Sequence, residues 1–527
     1  MSGPTVRDAV LALLRAHGIT TIFGNPGSTE LPLVRNFPPD FRYVLGLQES
    51  VVVGMADGFA QATRNAAFVN LHSAAGVGHA MGNLFTAHKN RTPLVVTAGQ
   101  QARSMLPFEP FLYSAQATEL PKPYVKWSCE PARAEDVPLA LERGYHVAMQ
   151  EPRGPVLVSI PADDWDRPAA PVVVRRVAQT TRPDAALLAQ LGAALDACTR
   201  PVFVIGAAVD RGGAWDPVVA LAERHRARVF AAPMSGRCGF PEDHALFAGF
   251  LPPLRERIVE LLAGHDLVLS IGAPVFTYHV EGFGPHLPEA ASLWLLTEDP
   301  TIAAWAPVGT ALVGGLQPAL AELLERPAPP PRDAPPLRSA APHIAPPPPG
   351  ERLSVAFVLQ TLAALRDPAS IVVEEAPSAR TVMQRHLPFT CSETFYTMCS
   401  GGLGWGLPAA VGIALARPQA KVIALIGDGS SLYAIQALWS AAQLQLPMTF
   451  LILNNGRYAA LQDFAPVFGF ARDEPVPGTA LPDIDFVGLA RAQGCEAQRV
   501  KDAASLAEVL RAALAAPRPT LIDIEVA

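Results

Sequence analysis

Along most of its length the chain alternates between short runs of β-branched and aromatic residues and longer stretches rich in alanine and leucine. This alternation constrains the fold more than any other feature. The runs lie at 19–23, 43–47, 68–71, 94–97, 202–205, 267–271, 371–373, 422–426, 450–453 and 521–524. Short apolar runs separated by helix-length stretches are typical of parallel strands joined by crossover helices. The pattern therefore predicts doubly wound α/β domains, in which helices cover both faces of parallel sheets.

A proline-rich segment marks one domain boundary. Residues 326–350 contain eleven prolines, and because proline lacks the amide hydrogen and fixes φ, this segment cannot form a helix or a central strand. We expect an extended, semi-rigid spacer there and a weaker boundary at 165–183. At roughly 150 residues per domain, the chain is long enough for three doubly wound domains, which we place at 1–180, 181–340 and 350–527.

Composition excludes several classes of function. Half of the 527 residues are apolar and the net charge is -7, so the chain lacks the basic surface that nucleic acid requires. We find no apolar run long enough to span a membrane and no signal peptide at the N-terminus. The six cysteines are scattered without a CxxC pair, which favours reduced thiols. The expected location is cytoplasmic, with neither nucleic acid nor membrane as a partner.

Polar residues follow the first three predicted strands. Ser28, Glu49 and His72 each lie shortly after a run, and in open α/β sheets ligands bind beyond the carboxyl ends of strands. Each has an ordinary structural explanation: Ser28 as a helix N-cap, Glu49 as a first-turn acid and His72 as a satisfied core histidine. Their coincidence at one sheet edge favours a site. His279 follows the run at 267–271 and suits either a proton shuttle or a structural role.

The most specific motif lies in the third domain. Run 422–426 leads directly into Gly427-Asp428-Gly429-Ser430, and 24 residues separate Gly429 from Asn454-Asn455. Glycines allow close approach of a ligand, and main-chain amides suit a phosphate. Carboxylate, amide and carbonyl oxygens are ligands that Mg²⁺ prefers. With an apolar crossover helix expected at 432–446, the spacing predicts a site for magnesium and a diphosphate.

At this point the sequence resembles the thiamine diphosphate-dependent decarboxylase family. The resemblance covers nearly the whole chain and is carried by GDGS…NNGRY, FGNPGSTELP, LQESVVVGMADGFAQ, NLHSAAGVGHAMGNL and GGLGWGLPAAVGIALA. It implies that the first domain binds the aminopyrimidine of the cofactor, the third binds the diphosphate and the middle domain is largely structural. It also implies a homo-oligomer, commonly a dimer of dimers, in which two chains complete each active site.

The resemblance also implies residue roles. Asp428, Asn455 and the main-chain oxygen of Arg457 would bind magnesium, and Glu49 would contact the pyrimidine. Leu403, beside Gly401, would hold the cofactor bent. Residues expected to contact the diphosphate or the rest of the cofactor are Gly427, Gly429, Ser430, Tyr433, Ser378 and Tyr458. The wall over the thiazolium ring of the cofactor would consist of Tyr458, Ala460, Leu461 and Phe464.

These roles predict non-oxidative decarboxylation of an aromatic 2-keto acid, such as benzoylformate, to an aldehyde and carbon dioxide. Ser28 would hold the substrate carboxylate, while His72 and His279 would transfer protons. The alternatives are a carboligase or lyase with the same cofactors, including acetolactate synthase, and a decarboxylase of another 2-keto acid. A thiamine-fold protein without catalysis is a further alternative, although Glu49 and Asp428 are both present. A nucleotide-dependent dehydrogenase is disfavoured because no G-x-G-x-x-G follows the strands.

Five positions depart from the family pattern. Thr397 stands where an aromatic residue near the substrate is expected, and His79 stands where an asparagine is expected. The other three are Pro377 for a hydroxyl residue, Gln462 for arginine and Asp463 for tryptophan. We expect Phe108, Phe111 and Leu112 to supply an apolar wall near the substrate.

Overall fold

The computed structural model describes residues 3–471 and 474–527. In this part of the chain the strands form three sheets of six, and every pairing between neighbouring strands is parallel. Helices lie on both faces of each sheet, so the predicted doubly wound α/β architecture is confirmed. No helix in the described ranges is both long and apolar enough to cross a membrane.

The first domain contains the sheet with strand order β2-β1-β3-β4-β6-β5. Its elements are α1 Val6–Ala16, β1 Thr21–Gly24, α2 Leu31–Val34, β2 Arg42–Leu45, α3 Glu49–Thr63, β3 Ala67–Leu71, α4 Ser73–Asn90, β4 Leu94–Gln100, β5 Ser128–Cys129, α5 Val137–Met149 and β6 Val156–Pro161. All six residues of β6 are buried, as expected of a strand covered on both faces.

The middle domain has the strand order β12-β11-β10-β7-β8-β9. Its elements are α6 Ala185–Ala197, β7 Pro201–Ile205, α7 Ala207–Arg211, α8 Trp215–His225, β8 Arg228–Ala231, β9 Phe247–Phe250, α9 Arg255–Leu261, β10 Leu267–Ile271, β11 Ser292–Thr297, α10 Pro300–Trp305, β12 Thr310–Val313 and α11 Leu316–Glu325. The proline-rich segment then runs without regular structure through residues 327–348, as predicted. Arg332 attaches it to the middle domain, since its Nε donates to the Cys198 carbonyl at 3.1 Å.

The third domain has the strand order β14-β13-β15-β16-β18-β17, the same connectivity as the first. Its elements are α12 Val355–Leu365, β13 Ile371–Glu375, α13 Arg380–His386, β14 Phe395–Thr397, α14 Gly406–Ala416, β15 Val422–Gly427, α15 Asp428–Leu432, α16 Ala437–Gln443, β16 Thr449–Asn454, α17 Ala459–Phe464, α18 Phe486–Ala492, β17 Glu496–Val500, α19 Ala503–Ala515 and β18 Thr520–Glu525.

The crossover between β15 and β16 differs from the single helix expected at 432–446. It consists of the two short helices α15 and α16. Between them the chain forms turns closed by hydrogen bonds three residues apart. The Ala434 amide donates to the Ser431 carbonyl, and the Ala437 amide donates to the Ala434 carbonyl. Apolar periodicity continued through this turn, and therefore the sequence pattern did not reveal it.

Helices α3 and α14 join the first and third domains. Gly58 and Gly412 let the two backbones approach so closely that a Cβ at Gly58 would lie 2.1 Å from the Ala409 carbonyl oxygen. Beside this crossing the indole of Trp405 donates to the buried Asp57 carboxylate at 2.9 Å. One apolar core extends across both domains, and this fixes the position of Glu49, the first residue of α3, relative to the third sheet.

Candidate active site

The first cluster of predicted site residues lies where the first sheet reverses its strand order. Strand β1 has β2 on one side and β3 on the other, so the loops after β1 and β3 leave in opposite directions and open a crevice. Ser28 and His72 follow these two strands. The side chain of Ser28 is exposed at the start of a short 3₁₀ helix, Ser28–Glu30, so it is accessible to a ligand.

His72 is held by residues of that 3₁₀ helix. Its Nδ1 lies 2.8 Å from Oε2 of Glu30 and 3.0 Å from the hydroxyl of Thr29. Gly27 packs against the imidazole, and a Cβ there would lie 2.3 Å from Nδ1. With Nδ1 engaged by a carboxylate, the other ring nitrogen is the one left to face a substrate.

Glu30 was not predicted as a site residue. Its side chain is buried, and Oε2 also accepts the Gly27 amide at 2.8 Å. An acid three residues beyond Gly27 at a helix start is a capping signal in the sequence. That signal indicates the local cap but not the contact with His72, which lies 42 residues away in the chain.

Glu49 begins α3 and is nearly buried. Its Oε1 accepts from the Asn25 amide at 3.3 Å, and its Oε2 lies 3.1 Å from Nδ1 of His79. Glu49 and His72 flank Gly76, because a Cβ there would lie 3.5 Å from the Glu49 Cγ and 3.6 Å from the His72 Cβ. The structure therefore brings Glu49 and His72 to one crevice, as the order of the strands predicted.

The second cluster lies at the corresponding reversal of the third sheet. Asp428 follows β15 and is buried, and its oxygens accept from the amides of Gly429 and Gly456, both at 2.7 Å. Burial raises the pKa of this carboxyl group, although these amide hydrogen bonds oppose the shift. Within the described residues, no lysine, arginine or histidine forms an ion pair with Asp428. A buried carboxylate without a counter-charge fits a cation-binding position.

The surroundings of Asp428 fit a diphosphate bound through magnesium. Asn455 is half-buried beside it, and the Asn455 side-chain oxygen accepts from the Arg457 amide at 3.1 Å. Gly429 is in close contact with Tyr458, whose Cε1 would lie 2.2 Å from a Cβ. The described residues contain no group of three His, Cys, Asp or Glu side chains around a metal position. A site with one carboxylate, one amide oxygen and one main-chain oxygen does not require such a group.

Leu403 lies in a loop that a buried glutamate holds in place. Both oxygens of Glu375 are bonded: Oε1 accepts the Gly404 amide at 2.7 Å, and Oε2 accepts the amides of Trp405, at 2.8 Å, and Gly406. Burial raises the pKa of Glu375 to about 7. Sequence reasoning missed Glu375, because its partners lie about thirty residues further along the chain. Gly401 has a φ of +73° and is exposed in the same loop.

The middle domain contributes His279 to the third domain of the same chain. The imidazole stacks on the ring of Phe464 in α17, with 4.8 Å between centroids and 10° between planes. His279 is exposed, and its amide donates to the Pro253 carbonyl at 2.9 Å. The predicted proton-transfer residue thus lies beside Phe464, which was predicted to belong to the wall over the thiazolium.

Two of the positions that depart from the family pattern, Thr397 and Pro377, differ in burial. Thr397 is buried, and its hydroxyl accepts from Arg380 at 2.6 Å, while the same Arg380 nitrogen bonds Glu374 at 2.5 Å. Pro377 and Ser378 are exposed in a 3₁₀ helix, Pro377–Ala379, that contacts α17. The hydroxyl of Thr397 is therefore bonded to an arginine that also contacts a glutamate.

Several apolar side chains near the two clusters are exposed. Phe108 and Phe111, expected to line the substrate site, are 81% and 86% exposed. In the third domain Tyr433, Leu461 and Phe468 are also exposed. Within residues 3–471 and 474–527 of this single chain, no hydrogen bond joins Glu49 or His72 to the Asp428 cluster.

Comparison with family models decides the assignment. Residues 4–119 match the thiamine pyrophosphate enzyme N-terminal TPP binding domain, residues 188–323 the central domain and residues 378–524 the C-terminal TPP binding domain. The chain belongs to the thiamine pyrophosphate enzyme family. Thiamine pyrophosphate is another name for thiamine diphosphate, so the cofactor expected from the sequence is confirmed.

Individual relatives are similar along their full length. The chain is 47% identical over 524 residues to a benzoylformate decarboxylase of Pseudomonas aeruginosa, covering 99% of this chain and 98% of the relative. A thiamine diphosphate-dependent 4-hydroxybenzoylformate decarboxylase structure from Rhodococcus jostii RHA1 is 42% identical, with a TM-score of 0.95 and 99% of each chain covered. The benzoylformate decarboxylase structure from Polynucleobacter necessarius is 39% identical, with a TM-score of 0.95, covering 100% of this chain and 99% of that one.

Proposed function

We propose that this protein is a carboxy-lyase that converts an aromatic 2-keto acid, of the benzoylformate type, to the aldehyde and carbon dioxide without oxidation. The observation that carries the proposal is the full-length similarity to benzoylformate decarboxylase, because it extends through both clusters of site residues. The positions of Glu49, His72 and Asp428, each just beyond the carboxyl end of a strand, support the proposal.

The third domain would hold the cofactor through its diphosphate. Thiamine diphosphate, when bound, supplies a nucleophilic carbon and an acceptor for the electron pair released with carbon dioxide. Asp428, Asn455 and the main-chain oxygen of Arg457 would bind Mg²⁺. Gly427, Gly429, Ser430 and Tyr433 would border the diphosphate, while Leu403, with Gly401 and Ser378 nearby, would support the bent cofactor. Tyr458 would belong to the wall over the thiazolium ring. Its close contact with Gly429 supports a position beside the cofactor.

The first and middle domains would orient the substrate and move protons. Glu49 would hydrogen-bond N1′ of the aminopyrimidine. Ser28, exposed in the crevice, would bind the substrate carboxylate, and His72, fixed through Nδ1 by Glu30, would exchange a proton with the substrate oxygen through Nε2. His279 would protonate the carbon that loses the carboxylate. Proton transfer by one such group accounts for about 10²–10⁴-fold in rate.

A magnesium requirement tests the proposed role of Asp428. We expect that chelation with EDTA abolishes binding of thiamine diphosphate and that added Mg²⁺ restores it. Asp428→Asn should weaken cofactor binding strongly, because a neutral amide does not balance the cation. Asp40→Asn is a matched control, since Asp40 is an exposed acid that pairs with Arg15 of α1. Unchanged cofactor affinity in the Asp428 variant would contradict this assignment.

A substrate panel tests the aromatic specificity. Arg380, which bonds Thr397, is also paired with Glu374. We therefore expect no unpaired charge beside Thr397 that an aromatic substrate would have to desolvate. Benzoylformate and 4-hydroxybenzoylformate should exceed branched aliphatic 2-keto acids at least tenfold in kcat/KM. An aliphatic acid preferred tenfold would overturn the aromatic assignment. Acyloin in place of free aldehyde as the main product would indicate a carboligase.

We also propose a homo-oligomer, a dimer of dimers, in which the Glu49 cluster of one chain meets the Asp428 cluster of another. The exposure of Phe108, Phe111 and Phe468 supports it, because apolar patches of this kind are typical of covered surfaces. Glu49→Gln and Asp428→Asn chains, co-expressed with different tags and purified through both, should recover activity. The control is Glu49→Gln carrying both tags. An inactive mixed oligomer would show that each site is built from one chain.

For the location of the protein we propose the cytoplasm. All six cysteines are unpaired, as is typical of a reducing compartment. Fractionation of cells that produce the protein from its own gene would test this, and recovery in a secreted or membrane fraction would contradict it.

A further inference from the structure

Arg380 offers more hydrogen-bond donors than its neighbours in the chain accept. Its Nη2 donates to the Thr397 hydroxyl at 2.6 Å and to Oε2 of Glu374 at 2.5 Å. Within residues 3–471 and 474–527, Nε is buried without a partner and Nη1 forms no hydrogen bond. Nη1 is not buried as Nε is, so this nitrogen can donate to an acceptor that the chain itself does not supply.

A second arginine beside strand β14 has a purely structural set of contacts. The guanidinium of Arg237 lies over the ring of Tyr396, 3.7 Å from its centroid. Each of its three nitrogens is bonded, Nε and Nη2 to Asp210, both at 2.7 Å, and Nη1 to Oε1 of Gln61 at 3.2 Å. The fold therefore satisfies this arginine completely, whereas it satisfies Arg380 at one nitrogen.

Arg380 lies at the crevice of the third sheet. It is the first residue of α13 and follows the 3₁₀ helix Pro377–Ala379 at the carboxyl end of β13. Strand β13 has β14 on one side and β15, which leads into Asp428, on the other. The same 3₁₀ helix contacts β15 and α17, and Phe464 of α17 stacks on His279. Arg380 therefore lies at the strand end that adjoins both the predicted cofactor cluster and the predicted proton-transfer residue.

The pairing of Arg380 determines which chemical group it can recognise. Its positive charge is already balanced by the buried carboxylate of Glu374, so what Nη1 lacks is an acceptor atom and not a second negative charge. Only 15% of the Arg380 side chain is exposed, and a recessed donor suits a small acceptor. An oxygen atom carried on the ring of an aromatic 2-keto acid has these properties.

We propose that Arg380 selects aromatic 2-keto acids that carry an oxygen substituent on the ring, with Nη1 donating a hydrogen bond to that oxygen. Thr397 and Glu374 are positioning residues, because they hold the guanidinium by Nη2 and leave Nη1 free. A methyl substituent of similar size would displace water from Nη1 without replacing the hydrogen bond, which is unfavourable for a charged donor. This inference rests on the proposed function, since it concerns the ring of the same substrate.

The test compares substrates that match in size and differ in the acceptor. For the full-length protein with thiamine diphosphate and Mg²⁺, kcat/KM is measured for benzoylformates that carry a hydroxyl or a methyl group at the 3- or 4-position. We expect the hydroxyl compound to exceed the methyl compound at least tenfold at one of these positions. Arg380→Lys should lower this ratio to within threefold, because the single nitrogen of lysine is already engaged by Glu374 and Thr397. Arg385→Lys, which alters an exposed arginine of the same helix, is the matched control and should keep the ratio.

The outcomes separate the role of Arg380 from the proposed function. The ratio in the unmodified protein tests the inference even if Arg380→Lys does not fold, and a ratio near one at both positions would overturn it while leaving the decarboxylation standing. A ratio that stays at tenfold in Arg380→Lys would also overturn it, with cofactor affinity within threefold of the unmodified protein showing that the variant is folded. If the protein binds the cofactor but decarboxylates no aromatic 2-keto acid, the proposed function fails, and selection by Arg380 fails with it.

Discussion

Buried acids in this protein differ in how their charge is balanced. Asp57 accepts four side-chain hydrogen bonds, and Asp210 pairs with the buried Arg237 at 2.7 Å. Among the described residues, only main-chain amides donate to the carboxylates of Asp428 and Glu375. An isolated buried charge is costly unless a cation or hydrogen bonds compensate it. Because Asp428 lies in the Gly427–Ser430 motif beside Asn455, we propose that a bound cation compensates its charge.

At the residue scale we predict that Glu30→Gln impairs catalysis without weakening cofactor binding. The amide cannot balance a charged His72, so kcat/KM should fall roughly 10–100-fold, less than the about 10²–10⁴-fold expected for loss of a proton-transfer residue. Steady-state kinetics and cofactor titration give the two readouts. Glu119→Gln, which alters an exposed acid paired with Lys122, is the control. Equal kcat/KM for both variants would show that Glu30 does not act through His72.

Sequence patterns located the residues that follow strands but not the contacts that hold them. Glu49, His72 and Asp428 follow or border apolar runs, so strand order alone brings them to sheet edges. Glu30 and Glu375 act on residues about thirty to forty positions away, and a single sequence does not show which distant residues touch. His79 was visible as a departure from the family pattern, but its contact with Glu49 depends on the packing of α4 beside α3.

At the element scale the periodicity of apolar residues predicted the three sheets with helices on both faces. It failed between β15 and β16, where two short helices, α15 and α16, replace the single helix expected. The α3–α14 crossing was also not predictable, because Gly58 and Gly412 lie 354 residues apart and only the folded chain shows that their backbones meet. Small residues at such a crossing are required by the approach of the two helices, not by local turn geometry.

We predict that Gly58→Ala destabilises the protein. The added Cβ would lie 2.1 Å from the Ala409 carbonyl oxygen, so the helices must separate, at a cost of about 1–3 kcal/mol for an overpacked core. Gly144→Ala in α5 is the matched control, because its Cβ would lie 3.3 Å from the Val156 side chain and 3.5 Å from that of Trp127, and would meet no main-chain atom within 4 Å. The midpoint of thermal denaturation should fall for Gly58→Ala and change little for Gly144→Ala. Equal midpoints would contradict the close crossing.

At the scale of the whole molecule, the middle and third domains meet around a half-buried acid, Glu242. Glu242 accepts the Phe389 amide at 3.1 Å and donates its own amide to the Phe389 carbonyl at 2.9 Å. Burial raises the pKa of Glu242 to about 8. The neutral carboxyl group is therefore the form that the interface accommodates at neutral pH.

Stability should consequently depend on pH through Glu242. In the unfolded chain a glutamate has a pKa of about 4.3, so between that value and about 8 the folded protein binds more protons and loses stability as the pH rises. Glu242→Gln removes this contribution and still accepts the Phe389 amide. The variant should denature at a temperature similar to the unmodified protein near pH 5 and at a higher temperature near pH 8.5. A constant difference across that range would contradict the shifted pKa.

The most direct test of the account is release of carbon dioxide from benzoylformate by the full-length protein, with and without thiamine diphosphate and Mg²⁺, beside Glu49→Gln. The account predicts equal amounts of benzaldehyde and carbon dioxide only when both cofactors are present. It also predicts a rate at least about 10²-fold lower in the variant, since a proton-transfer partner of the cofactor is lost. Protein that binds the cofactor but releases no carbon dioxide from benzoylformate or 4-hydroxybenzoylformate, or a Glu49→Gln variant as fast as the unmodified enzyme, would contradict it.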